Sequence, residues 1–169
     1  MSDPPKSPSG RRLLRDLALL LLALLAFQWW QGRDAPSGPA PPLSGRLLDG
    51  RQVSLADYRG APLLVHFWAT WCPVCRLEEG GIEAVSERWP VVTVATGSGE
   101  AEEVRAYLRG QGVSLPVLVD PGGEIARRWG VQGVPASFVL DGGGRVRSAT
   151  RGYSTAWGLR LRLWWYGRH

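Results

Sequence analysis

Leu63-Leu64-Val65-His66-Phe67-Trp68-Ala69-Thr70-Trp71-Cys72-Pro73-Val74-Cys75 is the stretch that decides how this chain folds. The run from Leu63 to Trp68 reads as a buried strand, and Cys72 and Cys75, the only cysteines present, stand directly after it. Two residues between two sulfurs let both occupy the first turn of a helix. There the outer thiol meets unsatisfied backbone N–H groups and the positive end of the helix dipole. Both stabilise a thiolate, and in such motifs the thiol pKa falls from about 8.5 to roughly 3.5–7.5. Cys72 therefore reads as the nucleophile. Cys75, one turn inward, reads as the thiol that attacks the resulting mixed disulfide, releases the reduced partner and closes a Cys72–Cys75 ring.

Other uses of a Cys-x-x-Cys pair fit less well. A structural zinc site needs about four ligands, and beyond the cysteines the chain offers only His66 in an apolar strand and His169 at its end. Haem attachment needs His after the second cysteine, where Arg76 stands. A purely structural disulfide across so short a loop removes little unfolded-state entropy.

With 169 residues, 44% of them hydrophobic, the chain holds one ordinary domain plus appendages. Its net charge of +5 and pI near 9.9 come almost entirely from Arg scattered among Leu and Trp, a pattern that argues against nucleic-acid binding. A polar lead, residues 1–12, carries Lys6, Arg11 and Arg12. It precedes the apolar run Leu17 to Phe27, then Trp29 and Trp30. Counted from Leu13 with Arg15 snorkelling, this segment is about 27 Å long as a helix, near the hydrocarbon thickness. No small-residue cleavage site follows promptly. Residues 13–30 are thus expected to form an uncleaved transmembrane signal anchor, with the cationic lead cytoplasmic and the remainder outside. Residues 31–42, rich in Pro, read as a tether, and 43–169 as the folded domain.

Within that domain, Gly45 to Leu48 and Gln52 to Ser54 around Asp49-Gly50 predict a small hairpin. The helix after Cys72 carries Cys75, Glu78 or Glu79, Ile82, Val85 and Trp89 on one stripe, with a kink expected at Gly80-Gly81. Then follow a strand Val91 to Ala95, a helix Glu100 to Arg109, a strand Val117 to Val119 and a helix Glu124 to Trp129. The hairpin Ser137 to Leu140 and Arg145 to Thr150 comes last. Gly97-Ser98-Gly99 lacks the Lys-Ser/Thr of a phosphate loop and reads as a helix N-cap loop. Leu159 to Leu163 alternates with Arg at period two, so its state stays open; the acid-free, Arg- and Trp-rich ending either contacts anionic lipid or a membrane partner, or simply covers the sheet. The expected class is α/β, a mixed central sheet with helices on both faces.

Phe67 to Cys75, together with Gly133-Val134-Pro135-Ala136-Ser137-Phe138, resembles the active-site strand and the cis-proline segment of the thioredoxin superfamily. The apolar amino terminus, the hairpin before the first long strand, and Glu78 three residues after Cys75 look most like the TlpA/DsbE-type proteins of bacterial envelopes. Gly152-Tyr153 and Gly158 to Trp164 are similar to the ending of their ScsD branch. The resemblance implies a thioredoxin-like fold, a cis Val134–Pro135 bond beside the dithiol, and Glu78 as an acid that moves protons at Cys75. A solvated helix carboxylate is the plainer alternative for Glu78, with Glu79 its equal. Trp71 and Pro73, with Val134 and Pro135, are then expected to meet the partner protein. One departure stands out: thioredoxins carry a buried Asp six residues before the first cysteine, where this chain has His66.

The expected function is therefore thiol-disulfide oxidoreduction on protein disulfides, by a single-pass protein of the bacterial inner membrane with its catalytic domain in the periplasm. No cofactor is needed, because the dithiol is the redox centre. The resemblance favours a reductase recharged by a membrane electron donor. Oxidase or isomerase action at the same site is the nearest alternative. A Cu(I)-binding envelope protein using the same sulfurs is the rival from another class.

Overall fold

The computed structural model describes Arg15, Asp16, Ala18, Leu19 and residues 38–168. The chain divides into two units, Met1–Ala35 and Pro36–His169. The four described residues of the first are helical; the rest of the predicted anchor, and residues 31–37 of the predicted tether, lie outside the described residues. Among the described residues no helix is long and apolar enough to cross a membrane.

The second unit is built around Leu63–Trp68 (β4), every residue of which is buried. It runs parallel to Val91–Thr96 (β5) on one side and antiparallel to Ala136–Leu140 (β7) on the other. A strand covered on both faces carries a near-continuous apolar run rather than an alternating one, as this one does with His66 its one polar residue. Its odd residues Leu63, Val65 and Phe67 pack with Phe138 and Trp129. Its even residues meet Ile82 and Val85 at the Leu64 end, and Cys75 and Val104 at the Trp68 end. Val117–Asp120 (β6) extends the sheet beside β5, and Arg145–Arg151 (β8) extends it beside β7.

The predicted tether stops short of Pro42. Gly38–Pro39 (β1) pairs with Val146 and Arg145 at the sheet edge, a position where proline's missing N–H is tolerated. Ala40 already packs on the core. The sheet order is therefore β1-β8-β7-β4-β5-β6. Ser44–Arg46 (β2) and Gln52–Ser54 (β3) form the expected hairpin, shorter than predicted because Leu47 and Leu48 leave it to bond β6 at Leu118 and Val117.

Four helices complete the unit: Pro73–Ser86 (α1), Ala101–Gln111 (α2), Glu124–Arg128 (α3) and Ala156–Tyr166 (α4). α1 is continuous through Gly80-Gly81. The space that a side chain at 81 would take lies against Ala156, whose Cβ would be 3.5 Å away. The segment left open by its alternation is helical. Ala156, Leu159, Leu163 and Tyr166, at i, i+3, i+7 and i+10, supply the inward stripe of α4. Arg160 fastens α4 to α1 by donating from Nη2 to the Ala84 carbonyl at 2.8 Å.

Candidate active site

The loop between β4 and α1 holds the dithiol. Cys72 has extended backbone (φ −90°, ψ 110°) and is the N-cap of α1, with Pro73 opening the helix behind it, where its missing N–H costs nothing. The Cys72 Sγ accepts from the Cys75 N–H at 3.2 Å. Cys72 and Cys75 form a disulfide, with Cα atoms 5.3 Å apart. Cys75 is 1% exposed and Cys72 4%. Opposite them the Val134–Pro135 peptide bond is cis, and Cys72 Sγ lies 3.7 Å from the Val134 carbonyl oxygen.

Two contacts from one loop fix the approach to the dithiol. The Ser98 hydroxyl accepts from the Thr70 N–H at 3.0 Å and donates to the Thr96 carbonyl at 3.1 Å. The Trp71 indole N–H donates to the Gly97 carbonyl at 2.8 Å, leaving its ring 64% exposed beside Cys72. The Gly97-Ser98-Gly99 stretch, read from sequence as a helix cap, is thus a latch for residues 70–71. The cap of α2 itself is Glu100, in a capping box with Glu103. A side chain at Gly99 would collide with the Glu103 carboxylate, and its φ of +78° also calls for glycine.

Behind the dithiol Glu78 and Glu79 of α1 are both buried, so neither is the solvated carboxylate that the sequence left open. Glu79 Oε1 accepts from the Tyr107 hydroxyl at 2.5 Å, and burial raises its pKa. Glu78 is on the same helix face as Cys75, three residues on. Its Oε1 accepts from the Ser154 N–H, and its Oε2 is buried with no hydrogen-bond partner among the described residues. Burial pushes the Glu78 pKa up to about 7, against a smaller lowering by the Ser154 N–H.

His66 Nε2 faces that Oε2 at 3.8 Å, while Nδ1 meets the Ser137 hydroxyl at 2.9 Å. Burial lowers the His66 pKa to about 4. The pair is at ion-pair distance, yet at neutral pH the imidazole is uncharged and the carboxyl is about half protonated. Burial, not mutual attraction, governs both.

Of the residues singled out in the sequence, Cys72, Cys75, Val134, Pro135, Trp71 and Pro73 gather around the disulfide, with Glu78 on the helix face behind it. Ser137, Ser154 and Ser98 were missed. They lie 71, 76 and 28 residues from His66, Glu78 and Thr70 respectively, and an ordinary serine carries no local signal of such a contact. Among the described residues no group of three or more His, Cys, Asp or Glu side chains is placed to hold a metal ion.

Residues 36–149 match the AhpC/TSA family. The chain belongs to that family. It is 35% identical over 161 residues to the thiol:disulfide interchange protein DsbE of Xylella fastidiosa, covering 87% of this chain and 81% of that one. It is 28% identical over 157 residues to the thiol-disulfide oxidoreductase ResA of Bacillus cereus, covering 86% and 91%. A thiol:disulfide interchange protein of the thioredoxin family from Chlorobium tepidum has the same fold, with a TM-score of 0.68 at 30% identity over 79% of this chain and 99% of that one. The fold is thioredoxin-like and the chain is a thiol:disulfide oxidoreductase of the DsbE/ResA type.

Proposed function

We propose that this protein is a membrane-anchored periplasmic reductase of protein disulfides, with Cys72 as nucleophile, Cys75 as resolving thiol and Glu78 as its acid–base partner. The observation that carries the reading is the position of Cys72 Sγ: it is the acceptor at the mouth of α1 and lies beside the carbonyl that precedes a cis proline. In the dithiol state the Cys75 N–H and the helix terminus favour a thiolate at Cys72. That thiolate attacks one sulfur of a substrate disulfide, forming a mixed disulfide and releasing the other sulfur as a thiolate. Cys75 then gives its proton to the Glu78 carboxylate and attacks Cys72 Sγ. The substrate leaves as a dithiol, two electrons richer, and the Cys72–Cys75 disulfide remains. Proline at 135 leaves neighbouring backbone free to pair with an extended substrate, and exposed Trp71 gives it an apolar wall.

The resemblance to TlpA/DsbE-type proteins favours the reductive direction, with a membrane donor recharging the dithiol. The apolar run Leu17 to Phe27 behind a cationic lead supports an anchor with the domain outside. There a dithiol is kept oxidised unless a membrane donor recharges it. Thiol trapping in growing cells tests this. A mostly reduced Cys72–Cys75 pool is the expected result, and a mostly oxidised pool reverses the direction to oxidase. Cys75→Ser should retain a Cys72-linked partner on non-reducing gels, and failure to capture any partner removes the mechanism.

A further inference from the structure

The outward face of α4 is not used by the redox site. Its inward stripe covers the sheet, yet Trp157, Leu161 and Trp164 are 78%, 55% and 41% exposed. They recur at i, i+4 and i+7, a second apolar stripe on the solvent side of the same helix. Arg168 continues it at i+11, its guanidinium 4.2 Å above the Trp164 ring. From Arg145 to Arg168 the chain carries six Arg and no acid. Indole rings beside guanidinium groups, apolar bodies with polar tips, suit the boundary between acyl chains and headgroups.

The end of this helix lies near β1, the strand into which the predicted tether leads. β1 lies on β8, Gly38 opposite Val146. The next residue of β8, Arg147, has its guanidinium 5.7 Å from the Tyr166 ring at the end of α4. Ten residues separate Phe27, the end of the apolar run, from Gly38, a reach of at most about 40 Å when fully extended.

We propose that the outer face of α4 seats on the anionic bilayer that holds the amino-terminal anchor. This rests on the anchored reading above and adds to it an orientation. Because Arg160 ties α4 to α1, seating α4 holds the dithiol helix at a fixed attitude to the membrane, where a membrane electron donor meets it. The apolar stripe supplies partitioning, and the Arg-only charge supplies an attraction that depends on anionic lipid and on salt.

The test uses the full chain in nanodiscs of brominated phosphatidylcholine, with and without brominated phosphatidylglycerol. The emission of Trp157 and Trp164 is read as the difference between the wild type and the Trp157→Phe/Trp164→Phe variant. That difference should be quenched by about twofold or more in the anionic discs, as expected for rings at the lipid boundary. It should recover at about 1 M salt, where the screening length is about 3 Å. Trp157→Gln/Leu161→Gln/Trp164→Gln should abolish the lipid effect and leave insulin reduction in solution unchanged. Unquenched Trp157 and Trp164 overturn the proposal, including the case in which this face binds a protein instead. The matching difference for Trp29→Phe/Trp30→Phe separates the two readings: quenched, the anchor stands and only the seating falls; unquenched, both fall.

Discussion

His66 Nε2 lies 3.8 Å from Glu78 Oε2 in the interior, and the two groups are displaced by burial in opposite directions, to about 4 and about 7. Proton counting gives the consequence. Between pH 4.5 and 6.5, the two groups' ordinary values, the folded pair holds one proton on Glu78 and the unfolded chain holds one on His66. The pair therefore adds no pH dependence to stability there. His66→Asn leaves Glu78 alone, whose raised folded pKa contributes fully below about 4.5 and is lost as pH rises through about 7. Glu78→Gln leaves His66 alone, whose lowered pKa makes stability fall as pH drops from about 6.5 through 4. Each slope should amount to at most about 3 kcal/mol. Urea unfolding of the oxidised protein across this range should give slopes displaced in opposite directions from that of the wild type in the two variants. Parallel slopes in all three would contradict the assignment.

The same carboxylate should govern the second chemical step. Glu78→Gln keeps an acceptor for the Ser154 N–H but removes the buried carboxylate oxygen that faces His66. Resolution of the mixed disulfide should slow by about 10²-fold at pH 7, with little change in the initial attack by Cys72. In the wild type the resolution rate should rise as pH increases through about 7, following ionisation of Glu78, and the variant should lose that inflection. Acid-quenched rapid mixing of the reduced protein with a model disulfide measures both steps.

Asp120, 4% exposed, ends β6 and ties three elements together. Its Oδ1 accepts from the Ile125 N–H and its Oδ2 from the Ala126 N–H, each at 3.0 Å. Thr96 Oγ1 donates to the same Oδ2 at 3.2 Å. Asp120→Ala strands two helix N–H groups of α3 and should cost about 2–3 kcal/mol in denaturant unfolding. A loss below about 0.5 kcal/mol would show that solvent replaces the cap.

Gly80 is in the interior of α1, and a methyl group there would meet no atom within 4 Å. Gly80→Ala should therefore raise stability by about 0.5–1 kcal/mol, through helix propensity and a less free unfolded chain. Thermal unfolding at fixed pH reads the gain, and a decrease would mean that α1 needs its flexibility near residue 80.

Much of this molecule was legible in one dimension because its signals are local. A hexapeptide apolar but for His66 reads as a doubly covered strand, and a Cys-Pro-Val-Cys sequence after it reads as a helix start with one sulfur at its mouth. Element order followed from the same periodicities, and residue types sufficed for the chemistry of the dithiol. Folding decided what depends on distance along the chain. The sequence left the charge and burial of Glu78 and Glu79 open; Ser154 on the approach to α4, 76 positions away, closed over Glu78, and Tyr107 on α2, 28 positions away, closed over Glu79. The alternating Leu-Arg segment became a helix because burying Leu159 and Leu163 on α1 and the sheet outweighs a weak local pattern. His66 acquired its neutral state only when β7 and α1 enclosed it, since desolvation is a property of the surrounding volume and not of the neighbours in sequence.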